Sequence, residues 1–588
     1  MPTVIVTTSF RVYPGETLTF TNENAFSLEG GSSGSPTLLI EGVVNATMSS
    51  SGSGYNSITG IAIGYGGFYD SAVTITESGS LTVTNNATGG YAYGYSSGSW
   101  SPDFYNRGSV QVTAKGTAYG LSTWDAGPWV FENSGTFRVT STASDARGVN
   151  LANGGTFRNT GVFEVTGATN VVGVGLNGWD SSFSNSGTIK ATDGSAASDS
   201  IAVYWTSSFG SGDTFVNNGW VEGDYALKVS PYSSYTSGTE VFTNNGTFLG
   251  KVDMGFSSAR LVNAGVIWGD TSLGLGDDTY SGASGIFVGR MTGGDGADSI
   301  AGGERGEQFL GEAGNDTISG GAGDDTVNGG RDFDLLDGGA GFDVLDYSDA
   351  TMGVTASFAT GRAFASGEDT ISGFEKIIGG IYGDTLSGSA GADNLMAGGG
   401  DDSLQGGDGR DYLRGEAGAD YIVGGAAFDD IHGNQGDDTA SGGDGDDWVV
   451  GGQDNDRLSG DLGDDIVYGN LGNDVLDGGA GADIVRGGQG DDVLAGGEGN
   501  DWLSGDRGDD NLTGGAGADI FHSFVDAGID LVTDFNFAEG DRVQLDPGTA
   551  YTLAQVGADT VIDMGGGNRV VLVNVQLSAL PEGWIVGG

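Results

Sequence analysis

Cysteine is absent from the 588 residues, so disulfides, thiolate metal sites and thiol nucleophiles play no part, and the ligands left in quantity are hard oxygens. Basic side chains number 22 against 79 acidic ones, a net charge of -57. Phosphate recognition needs a basic face, so a nucleic-acid partner is excluded. Proline occurs 8 times, while the 116 glycines follow no strict three-residue period, which excludes collagen and favours regular turns. No apolar run approaches the length of a transmembrane segment. Met1-Pro2-Thr3-Val4-Ile5-Val6 lacks the basic start and apolar stretch of a cleaved signal peptide.

What is there suits an array better than a thick globule. Hydrophobic residues make up 37%, enough for a thin core spread along a repeat, and the length exceeds one ordinary domain. The charge is uneven: residues 1–270 carry 20 acidic and 10 basic side chains, leaving a net -47 on residues 271–588. Such self-repulsion opposes compaction unless counter-ions neutralise it.

Two periods are present. Six nonapeptides run from Gly293 to Asp346 and sixteen from Gly379 to His522, each near G-G-x-G-x-D-x-U-x with U apolar. Gly320-Gly321-Ala322-Gly323-Asp324-Asp325-Thr326-Val327-Asn328 is a clear copy, and Gly274–Tyr280 a degenerate leading one carrying Asp278. The sixth positions of the first block are Asp298, Glu307, Asp316, Asp325, Asp334 and Asp343. Those of the second are Asp384, Asp393, Asp402, Asp411, Asp420, Asp429, Asp438, Asp447, Asp456, Asp465, Asp474, Asp483, Asp492, Asp501, Asp510 and Asp519. Glycines allow a six-residue turn followed by a three-residue strand, whose apolar eighth residue, from Ile318 to Leu512, points inward. Two nonapeptides then make one right-handed coil. Turns of repeats n and n+2 stack, and their carboxylates and carbonyls converge on sites suited to calcium. The candidate metal ligands are thus Asp278 and the sixth-position aspartates. At one site per pair, about 18 ions would offset much of the -47. A solvated acidic tail needs neither the period nor the apolar eighth residue.

These residues resemble the repeats-in-toxin family, whose members include toxins, proteases, lipases, epimerases, adhesins and surface-layer proteins. The resemblance implies a calcium-binding parallel β-roll, export by a type I secretion apparatus with an uncleaved C-terminal signal, and folding on release into calcium. It divides the second half into a first roll block at 271–346, a β-rich connector at 347–378, a second block at 379–522, and a cap with the secretion signal at 523–588.

Residues 1–270 repeat more loosely around h-x-N-x-G-x-h-x-h, with asparagines at 106, 133, 159, 185, 217 and 244. One coil per repeat is expected, with a second alternating strand such as Val172–Leu176, and with the asparagines stacked along a corner. This resembles the parallel β-helices of autotransporter passengers and haemagglutinin-like adhesins. The expected fold is therefore all-β: an N-terminal parallel β-helix followed by a calcium-binding β-roll.

A catalytic centre is not expected. The two histidines, His432 and His522, are ninth-position residues; there is no H-E-x-x-H zinc motif and no G-x-S-x-G elbow. Asp180, Asp193, Asp199 and Asp213 stand singly and are read as loop residues. Tyr91, Tyr93, Tyr95, Trp100 and Trp124 are read as inward strand packing, with a sugar-binding platform as the alternative. The sequence predicts a non-enzymatic, extracellular surface-layer component that assembles with itself in calcium, with a cell-surface polysaccharide or lipopolysaccharide as its candidate anchor. An adhesin or matrix protein comes second, and a polysaccharide lyase or epimerase third.

Overall fold

The computed structural model describes residues 4–6, 10–21, 25–28, 37–48, 57–63, 72–97, 103–123, 129–151, 155–178, 181–194, 198–207, 213–230, 239–255 and 258–587. Two compact units divide them, Met1–Asp325 and Thr326–Gly588. Both are built of β-strands. A single 3-10 turn, Leu577–Ala579, is the helical element among the described residues, and no helix there is long and apolar enough to cross a membrane.

In the first unit the coils between residues 103 and 207 carry three strands where the sequence predicts two, and those that begin at Thr214 and Glu240 carry the two expected. One coil runs Asp103–Asn106, Ser109–Ala114, Ala118–Thr123 and the next Trp129–Asn133, Thr136–Ser141, Asp145–Leu151, all paired in parallel. The h-x-N half of the motif ends one strand and x-h-x-h begins another, because the Asn-x-Gly corner turns the chain between them. Register places like on like: Phe104, Phe131, Phe157, Phe183 and Phe215 stack with ring centres 4.4–5.6 Å apart. The asparagines stack as expected. Asn106, Asn133, Asn159, Asn185, Asn217 and Asn244 are buried, and each Nδ2 donates to the Oδ1 of the next, ending on Asn263, at 2.6–2.9 Å. A buried amide that both donates and accepts tolerates no other residue type at little cost.

Past Asn263 the coils shorten. Ala259 N–H donates to the Asp278 carboxylate 19 residues on, and Asp278 N–H to Asp298 Oδ1 20 residues on at 2.8 Å. The degenerate copy is therefore an integral coil.

In the second unit two strands make an 18-residue coil, as expected; Thr326–Asn328, Val344–Asp346 and Thr385–Ser387 have the expected three residues, but from Asn394 to Ala516 each strand has six. Ser403–Asp408 pairs with Tyr421–Ala426 through Leu404↔Ile422 and again through Gly407↔Gly425. Main-chain pairing resumes after the first glycine because it needs no side chains. The eighth-position residues Leu386 to Leu512 are all buried. Residues 347–378 continue the stack instead of interrupting it: Glu368–Ser372 lies parallel to Leu335–Ala340, and Lys376–Ile378 parallel to Val344–Asp346 and Asn394–Gly399. Beyond the repeats, an antiparallel ribbon, Thr552–Val556, Asp559–Gly565 and Asn568–Leu572, joins the sheet at Ile529–Val532.

Candidate calcium sites

Each repeat turns through its fourth to sixth residues. Its second and fourth positions take positive φ, as at Gly407 (+116°) and Gly409 (+111°), the region that glycine enters without strain. The turn buries the sixth residue, and every sixth-position aspartate from Asp298 to Asp519 is at most 6% exposed. Their two carboxylate oxygens face different surroundings.

One oxygen ties coil to coil. From Asp384 to Asp501, each aspartate N–H donates to Oδ1 of the aspartate 18 residues on, at 2.7–3.0 Å. Asp298 N–H and Glu307 N–H do the same toward Asp316 and Asp325. A second row runs the opposite way through fifth-position residues: Asp464 N–H donates back to Asp446 Oδ1, Asn473 to Asn455, and Asp491 to Asn473, each at 2.8–2.9 Å. The Asp-Asp and Asn-Asp doublets are its signal in the sequence.

The other oxygen is buried without a hydrogen-bond donor in Asp278, Asp298, and every sixth-position aspartate from Asp402 to Asp510. Desolvation pushes these carboxyls up, with like-charged neighbours in the stack adding to it in many: Asp411 to about 6, Asp402 to about 7, Asp456 and Asp278 to about 8. Asp384 and Asp393 differ, since their Oδ2 atoms accept from Gly380 N–H (2.7 Å) and from Ser389 N–H and Oγ.

These orphaned oxygens do not stand alone. A Cβ built on the first-position Gly424 would meet both Asp429 Oδ2 and the Gly442 carbonyl, and the same pairing recurs at Gly406, Gly442, Gly460, Gly478 and Gly496. The missing side chain leaves a cradle where a carboxylate and a main-chain carbonyl converge. Among the described residues no three His, Cys, Asp or Glu side chains gather in the manner of a side-chain metal cage. An ion held here takes most of its oxygens from the main chain, which suits calcium with its six to eight flexible oxygen ligands and not zinc.

Several contributors stand off the nine-residue period. Asp369 of the connector accepts Asp334 N–H (3.0 Å) and the Tyr347 hydroxyl (2.8 Å), Glu375 accepts Asp343 N–H (2.8 Å), and Asp541 accepts Asp519 N–H (3.1 Å). Asp530 is fully buried against Ser523 Oγ and Asp510. Only registration of the coils reveals them.

Elsewhere, Ser504 Oγ lies 3.2 Å from His522 Nδ1, whose Nε2 lies 3.3 Å from Asp546. Ser504 is fully buried and its hydroxyl donates to Asp506 Oδ1 at 2.7 Å, so it is not placed as a nucleophile. Asp193 accepts a local bond from Ser198 Oγ, and Asp213 accepts the Ser181 N–H of the neighbouring coil; Asp180, Trp100 and Trp124 lie outside the described residues. Inward packing holds for Tyr95, which is buried, but not for Tyr91 and Tyr93. The strand's inward places go to Ala92 and Tyr95, and Tyr93 stacks outside on Tyr119 at 4.9 Å.

Residues 302–345 and 369–523 match, in overlapping stretches, the RTX calcium-binding nonapeptide repeat. These repeats bind calcium, in multiple copies. Comparison with curated proteins returns no match. Among solved structures, the extracellular lipase LipA from Serratia marcescens is 18% identical over 50% of this chain and 40% of its own, with a TM-score of 0.16.

Proposed function

We propose that this calcium-binding protein is a secreted structural component that assembles with itself into a layer on the cell surface. In this reading the sixth-position aspartates from Asp278 to Asp519, joined by Glu307, Asp369, Glu375 and Asp541, hold the ions together with main-chain carbonyls. Calcium supplies the positive charge that the buried carboxylates lack, so binding energy becomes folding energy. Export by a type I route, with residues 523–588 as cap and signal, belongs to the same reading, as does a cell-facing role for residues 1–270.

One observation supports assembly above the others: the two outer faces of the roll in the second unit differ. On one, the seventh-position row runs Tyr412, Asp430, Trp448, Ile466, Ile484, Trp502 and Ile520, with Tyr412, Trp448 and Ile484 exposed. The other runs Ser403, Tyr421, Thr439, Arg457, Val475, Val493 and Asn511; Tyr421 and Val493 are exposed there too, but polar residues interrupt them. A flat, regular apolar row set in so acidic a chain favours contact with a matching flat sheet, and a second copy supplies one by symmetry.

Electron microscopy of the purified protein, with calcium and then with chelator, tests the proposal. Ordered sheets or filaments are expected in calcium only, and Trp448→Ser with Ile484→Ser should abolish them while leaving the calcium-dependent β signal. Monodisperse monomers at high concentration in both buffers would overturn assembly and favour an adhesin.

A further inference from the structure

One acidic residue interrupts the apolar row on the outer face of the roll. Asp430 stands between Tyr412 and Trp448, paired in register with both, and the two flanking rings are 40% and 39% exposed. Two further side chains hold its carboxylate. Arg414, buried on the neighbouring strand, donates to Asp430 Oδ1 at 2.9 Å and to the Asp430 and Leu413 carbonyls. Its guanidinium lies 3.4 Å from the centre of the Tyr412 ring. His432 Nε2 lies 3.0 Å from the same Oδ1, and its imidazole packs against the Trp448 ring at 5.6 Å. Burial and the nearby guanidinium keep this imidazole below its ordinary pKa. It is therefore neutral at pH 7, donates through Nε2 and keeps Nδ1 as an acceptor.

Two acceptors of this cluster stay open. Asp430 Oδ2 and His432 Nδ1 make no hydrogen bond among the described residues, although the carboxylate is fixed through its other oxygen. The chain's second histidine supplies the contrast. His522 stacks on Trp502 at 5.0 Å, but its nitrogens lie beside Ser504 Oγ and Asp546. Asp506 accepts from Ser504 and Arg486, and the Trp502 indole donates to Gln544. Those groups are satisfied inside the fold. At Asp430 and His432, whose side chains are about one-quarter exposed, the remaining valences are left to a ligand.

We propose that the Tyr412–Asp430–Trp448 cluster binds an uncharged, extended polysaccharide chain. The C–H faces of two pyranose rings pack on Tyr412 and Trp448, whose positions are two strands, about 10 Å, apart. Hydroxyls of the sugar between them donate to Asp430 Oδ2 and His432 Nδ1. Charge selects a neutral ligand. Arg414 and Asp430 cancel, and their neighbours in the same two rows, Asn394, Met396, Val450, Ile466 and Tyr468, carry none. A dry contact with a second copy would bury both open acceptors without donors, a cost that sugar hydroxyls remove.

The site goes beyond the assembly reading and shares with it the Tyr412–Trp448 end of the row. The two are separable: Ile484→Ser bears on sheets alone and should leave sugar binding intact. Sheets without sugar binding would sink this site alone, and sugar binding by a protein that forms no sheets would sink assembly alone. The test is titration calorimetry of the full-length, calcium-loaded protein, dispersed at low concentration. The probes are cellohexaose, mannohexaose and N-acetylchitohexaose, with polygalacturonate as the charged control. At least one neutral hexasaccharide is expected to bind, indifferent to salt, and more tightly than polygalacturonate. Trp448→Ala and His432→Ala should each weaken that binding at least about tenfold with the circular dichroism unchanged, whereas Trp502→Phe should leave it as it is. No binding of any hexasaccharide, tighter binding of polygalacturonate, or unchanged affinity in both weakening variants would overturn the proposal.

Discussion

Within one residue, Asp456, the two carboxylate oxygens take separate parts. Its Oδ1 receives the Asp438 N–H at 2.9 Å, a bond between coils, whereas its Oδ2 is buried without a donor. Asparagine at 456 keeps the first and removes the charge of the second. Asp456→Asn is expected to raise the melting temperature of the calcium-free protein at neutral pH, because an amide is less costly to bury than a carboxylate. It is also expected to raise the calcium midpoint about tenfold; a calcium titration with an unmoved midpoint would count against this residue as a ligand. The same desolvation fixes a pH dependence. Folded carboxyls such as Asp411, Asp402 and Asp456 sit at about 6, 7 and 8, above the ordinary 3.8, so the metal-free fold holds protons that the unfolded chain releases. Their contribution to stability is full below pH 3.8 and is lost as pH rises through the folded values. In chelator, the β signal should therefore grow on acidification from about pH 8 toward pH 4. Loss of signal over that window would contradict the burial of these carboxylates.

At the level of coils, the asparagine row carries a stability that no single contact explains. Asn159 donates to Asn185 Oδ1 and the Thr188 carbonyl, and accepts from Asn133. Asn159→Ala strands buried partners on both sides and should cost about 3 kcal/mol, measured by denaturant unfolding of the calcium-loaded protein. An effect as small as that of a surface substitution would mean that the row is bonded less tightly than its geometry implies. This row was legible because asparagine, glycine and the flanking Phe recur together. The eighth-position core and buried sixth position were legible for the same reason, period and residue type agreeing from Leu386 to Leu512. The six-residue strands were not, since the Gly407–Asp408 half of the pairing is made by main chain alone. Asp369 and Glu375 escaped because the chain between repeats loops out through Arg362–Phe364 before rejoining the stack.

For the molecule as a whole, the charge division predicts two behaviours. Residues 271–588 carry a net -47 and need calcium to stay compact, whereas the Phe and Asn rows between residues 104 and 263 rest on apolar packing and neutral hydrogen bonds. Limited proteolysis in chelator should leave a resistant fragment ending near residue 270, identified by mass spectrometry, and calcium should protect the remainder. Uniform digestion in both buffers would overturn the division. The direction of the aspartate row has a further consequence. From Asp384 to Asp501 each sixth-position amide has its receiver 18 residues ahead, and at Asp519 the receiver is Asp541, outside the nonapeptides. A chain clipped after His522 would offer bare amides and an open strand edge to the first coil of the next molecule. Asp541 thus closes the row of aspartate bonds and covers the last amide of the stack.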